Sequence, residues 1–60
     1  MGISEKVKIS PEITGQDDWI TGEVIDIEKN PFNGIVISAK DAFGRIFFDK
    51  EKYFIPLEEA

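Results

Sequence analysis

Ser38 and Lys40 stand two residues apart in an alternating run, the spacing at which a hydroxyl and an amine share one face of a β-strand. Such a pair is the minimal nucleophile and base for acyl transfer. The chain contains no histidine and no cysteine, so imidazole-activated nucleophiles, thiolate chemistry, disulfides and thiolate or imidazole zinc sites are closed to it. Nothing near Ser38 and Lys40 in the sequence suggests a desolvating pocket or an oxyanion hole, and the pair reads as ordinary solvent-facing strand residues. The carboxylates come next: Asp17 and Asp18 are adjacent, and Asp26 and Glu28 lie two apart on one strand face. Hydrolysis by paired carboxyls needs a cleft that sixty residues can hardly enclose, and calcium needs six or more oxygens in a spacing that is absent here. The expectation is a protein that is not an enzyme and carries no cofactor or metal.

Aromatic placement points to binding. The chain has one Trp, one Tyr and five Phe, more than so small a core easily holds, and Trp19, Phe32 and Phe43 fall at strand starts or turn tips. They predict an aromatic rim that meets a protein segment or a second copy of the chain. An alternative uses the bases Lys6, Lys8, Lys40 and Arg45 to hold nucleic acid, in an accessory protein associated with transcription. Seven basic against twelve acidic residues, a net charge of −5, oppose binding to phosphate backbones. The run Phe43-Gly44-Arg45-Ile46-Phe47-Phe48 is only weakly similar to the base-stacking strands of RNA-binding sheets, since it lacks their basic and small residues.

The elements that must position these residues are short. Lys6–Ser10 alternates, with Val7 and Ile9 on one face and both lysines on the other. Ser10–Asp18 reads as a loop in which Gly15 allows a positive φ, or as a short helical turn with Ser10 as cap and Pro11 as its first residue. Trp19–Glu28 is the longest strand, and its apolar residues change phase between Val24 and Ile25. A bulge or strong bend within Gly22–Ile25 is the expected remedy. Glu28–Gly34 is a turn. Ile35–Lys40 follows with Ile35, Ile37 and Ala39 inward, then a type I turn over Asp41–Gly44. Arg45–Asp49 is expected to turn Ile46 and Phe48 inward and Phe47 outward. Asp49–Lys52 forms one helical turn before a last strand at Tyr53–Leu57, where Pro56 implies an edge or a strand end. Met1–Ser4 and Glu58–Ala60 are expected to be frayed ends of a single domain spanning residues 1–60.

This order, all-β with five short strands, one bent strand and a one-turn helix before the last, resembles the small SH3-like barrels of the KOW and Tudor type. An OB-like barrel usually needs more residues and a helix between the third and fourth strands, and no such helix is visible. The SH3-like resemblance implies a groove beside the first long loop, lined by Trp19, Phe32 and Tyr53 and rimmed by Asp17 and Asp18, for basic or proline-rich peptides. The patterns Trp19-x-x-Gly22-x-Val24-Ile25-Asp26 and Asn30-Pro31-Phe32-x-Gly34-Ile35-Val36-Ile37-Ser38-Ala39 also resemble a group of short, functionally uncharacterised bacterial proteins. That likeness implies a stand-alone bacterial protein. The opening Met1-Gly2 lacks the Ser or Thr that myristoylation wants at the position of Lys6, and no apolar run suits a secretion signal or a membrane span. A cytoplasmic protein without membrane partners is therefore expected.

Overall fold

Five strands and two single-turn helices make up the computed structural model, which describes residues 1–57. They run β1 (Lys6–Ile9), α1 (Pro11–Thr14), β2 (Ile20–Asn30), β3 (Gly34–Asp41), β4 (Ile46–Lys50), a 3₁₀ turn η1 (Glu51–Tyr53) and β5 (Phe54–Pro56). All neighbours in the sheet are antiparallel, in the order β4-β3-β2-β1-β5. The expected end at Glu58–Ala60 lies outside the described residues. The opposite end is tied down at Ser4, whose N–H donates to the Val24 carbonyl at 2.7 Å.

The helical alternative for the first loop is the one adopted. Ser10 Oγ accepts the Glu12 N–H at 3.1 Å, Pro11 starts the turn, and Gly15 ends it at φ 75° with its N–H on the Pro11 carbonyl. The phase change in β2 is resolved by a bulge at Ile25, between the pairs Val24↔Ala39 and Asp26↔Ser38. One extra residue lets Val24 and Ile27 both face the core while Ile25 and Asp26 face out. Gly22 has a different task. It is buried, and a Cβ there meets Ile9 Cδ1 at 2.7 Å and the Lys40 carbonyl oxygen at 3.0 Å, so only glycine lets β1, β2 and β3 approach this closely.

The core is Val7, Ile9, Val24, Ile37, Ala39 and Phe54, with Ile13, Ile20, Ile27, Ile35, Phe47 and Tyr53 packed against it. The sheet curls around this core. Its edge strands β4 and β5 are joined by three residues of 3₁₀ turn, which reach about 6 Å, whereas the edges of a flat five-stranded sheet lie roughly 19 Å apart. The turn η1 packs against β3 and α1 against β4.

One strand faces the other way from its sequence reading. Ile46 and Phe48 were expected inward, yet they are 56% and 71% exposed, and Phe47 packs on the core. The cause is register: Phe47 lies opposite the buried Ala39, which puts Ile46 and Phe48 opposite the outward Lys40 and Ser38. Asp41 sets that register. Its Oδ1 accepts the N–H groups of Phe43 at 2.9 Å and Arg45 at 2.8 Å, so the connection closes on Arg45.

Candidate functional site

Both hairpin tips are built alike. Asn30 Oδ1 accepts the N–H of Phe32 at 2.8 Å and of Asn33 at 3.0 Å, as Asp41 does for Phe43 and Arg45. Each Asx side chain satisfies the turn's amides and leaves the phenylalanine two residues on in water: Phe32 is 93% and Phe43 85% exposed. The repeated Asx-x-Phe spacing, Asn30-Pro31-Phe32 and Asp41-Ala42-Phe43, is the sequence signal for these tips.

These tips sit at opposite ends of β3, about 23 Å apart along an eight-residue strand. Trp19, 37% exposed, precedes β2 at the Phe43 end, whereas Tyr53 closes the turn after β4, its carbonyl accepting the Ser10 N–H at 2.9 Å. Phe32 is therefore separate from Trp19 and Phe43. Asp17 and Asp18 are exposed beside Trp19, whose N–H donates to Asp18 Oδ1 at 2.8 Å. Two cations cover three rings: Lys52 Nζ lies 5.1 Å from the Tyr53 centroid, and the Arg45 guanidinium lies 5.5 Å from Phe43 and 5.7 Å from Phe47.

The basic residues divide as well. Lys6, Lys8 and Lys40 share the outer face, but Glu23 stands between Lys6 and Lys40 in register and accepts a 2.8 Å hydrogen bond from Lys6 Nζ. That bond, with the charges of Lys6 and then Lys40, holds the Glu23 carboxyl below its ordinary pKa. Arg45 is not on this face. Its Nε–H donates to Asp41 Oδ2 at 2.7 Å, and it leans on Phe43 and Phe47. Burial pushes the Asp41 carboxyl up, but the hydrogen bonds from Arg45 and Phe43 outweigh it and leave the group below the usual carboxylate range. Ser38 and Lys40 share the outer face as their spacing requires; Ser38 lies between Asp26 and Phe48, and Lys40 between Glu23 and Ile46.

What the sequence did not reveal is the surface along β4. Asp41 N–H donates to the Arg45 carbonyl at 2.9 Å, making Asp41–Arg45 a hydrogen-bonded pair. Alternation then makes Lys40–Ile46 and Ser38–Phe48 the non-bonded pairs, so the N–H and C=O of Ile46 and Phe48 point away from β3 to the open edge. Lys50 belongs to the same row, and its N–H is taken by Asp49 Oδ1 at 2.7 Å. Among the described residues β4 hydrogen-bonds to no strand but β3, and its contact with α1 carries no backbone hydrogen bond. Exposed apolar side chains and unpaired backbone groups thus belong to the same two residues. Beside them is a shallow depression of about 400 Å³ lined by Glu28, Val36, Phe48, Asp49 and Lys50. A second, of about 260 Å³, lies at the Trp19 end against Ile20, Phe43 and Arg45.

Among the described residues no three acidic side chains gather as a cation site, and no helix is long and apolar enough to cross a membrane. Compared with protein-family models, curated proteins and solved structures, the chain matches none.

Proposed function

We propose that this chain is a non-enzymatic interaction module with an SH3-like architecture, which takes an extended protein segment along its β4 edge. The barrel reading is supported by the strand order, by the bulge that bends β2, and by the 3₁₀ turn that draws the two edge strands together. One observation carries the binding reading: Ile46 and Phe48 offer exposed apolar side chains and backbone groups that, among the described residues, no second strand pairs at this sheet edge. A strand added there gains main-chain hydrogen bonds for affinity and alternate side-chain contacts for selectivity. The aromatic surface of the sequence analysis is thereby moved from the loop groove to β4, flanked by Phe43 at the preceding turn.

Selection of extended peptides from a random library, followed by amide-shift mapping on the labelled protein, tests this reading. Binders are expected to shift Arg45–Lys50 and to lose affinity with Phe48→Ser. Shifts confined to Trp19, Tyr53 and the α1 loop, or no binders at all, would overturn it. Nucleic-acid binding is the second reading, supported by Lys6, Lys8 and Lys40 on one face and weakened by Glu23 between them. It predicts RNA or DNA binding at low ionic strength that falls steeply with salt.

A further inference from the structure

We infer that the segment taken by the β4 edge is the β4 edge of a second copy, forming an isologous antiparallel seam; the inference rests on the binding reading above. Arg45-Ile46-Phe47-Phe48-Asp49 reads cation, three apolar residues, anion, and is complementary to itself when reversed. With the twofold axis at Phe47, Arg45 lies opposite the second copy's Asp49 and Ile46 opposite its Phe48. The free N–H and C=O groups of Ile46 and Phe48 then form four reciprocal hydrogen bonds, since these are the outward-pointing residues. Both charges are available. Arg45 commits only its Nε–H to Asp41, and Asp49 uses only Oδ1, for the Lys50 N–H. Shifting the axis to Phe48 places Ile46 opposite Lys50 and Phe47 opposite Asp49, and it requires the Lys50 N–H that Asp49 already holds.

The assembly closes at two chains. The opposite edge, β5, is three residues long and ends in Pro56, which has no N–H to donate, so the extended sheet cannot grow from that side. A seam of one five-residue strand falls below the roughly 1,200 Å² of a standard interface. Association is accordingly expected to be weak, with a Kd of about micromolar or above.

Sedimentation equilibrium of the full chain from about 5 to 500 µM is expected to show the 6.8 kDa mass doubling with concentration and going no further. Ile46→Lys/Phe48→Lys, at two exposed positions, is expected to keep the native circular dichroism and remain monomeric throughout. Isotope-filtered NOEs in a mixture of labelled and unlabelled chains are expected between Ile46 and the second copy's Phe48. A monomer at every concentration, a dimer indifferent to the double variant, intermolecular NOEs elsewhere, or growth beyond two chains would each overturn the inference. A monomer whose β4 still takes library peptides overturns the second copy alone and leaves the binding reading standing.

Discussion

Gly22 and Asp41 carry more of this structure than their side chains suggest. Gly22→Ala forces a methyl against Ile9 and the Lys40 carbonyl, and backbone cannot yield cheaply; destabilisation of about 1–3 kcal/mol is expected in urea denaturation. Asp41 holds three hydrogen bonds and is 7% exposed, so Asp41→Ala is expected to lower Tm by several degrees and to loosen the register that turns Ile46 and Phe48 outward. Its pH signature follows from the sign of the shift. The folded carboxyl titrates below its unfolded value of about 4, so its contribution is fully present above that pH and is lost as pH falls through the lower, folded value. Thermal melts should therefore be flat from pH 7 to about 5 and decline below about 4, and Asp41→Asn should flatten that decline. Glu23 shifts in the same direction through Lys6, but at an exposed pair its share of the slope is expected to be minor.

At the scale of elements, β2 shows how far a pattern can be read. The phase break between Val24 and Ile25 demanded a bulge or a strong bend because side chains alternate strictly, and a bulge at Ile25 is what forms. The strand β4 has no comparable break. Ile46-Phe47-Phe48 is apolar at every position, so alternation could not say which face is buried, and the choice was made by a carboxylate five positions before Ile46. Phe54 was likewise hidden: it is 3% exposed because β5 pairs Phe54 with Ile9 in the core, a contact separated by most of the chain. The cap of α1 was legible in Ser10-Pro11. Ser10→Ala is expected to cost about 1 kcal/mol, read as a lowered urea midpoint with an unchanged slope.

For the whole molecule, stability is the constraint that links fold to surface. Among the described residues six form the buried core, and a core of this size rarely supplies more than about 3–5 kcal/mol. Ile37→Ala removes a fully buried side chain at about 2–5 kcal/mol and is expected to leave much of the population unfolded at 37 °C by circular dichroism. The double lysine variant of β4 should by contrast stay within about 0.5 kcal/mol of the parent per substitution, because both sites are exposed. Composition alone excluded cysteine and histidine chemistry, and local spacing alone specified the strands and turns and narrowed the first loop to a coil or a capped turn and β2 to a bulge or a bend, because these depend on neighbours in the chain. Which aromatics meet, which face of β4 is wet and which edge of the sheet is left unpaired depend on contacts between distant segments. The sequence carries that information only through the register of the hairpins, and the tertiary structure decided it.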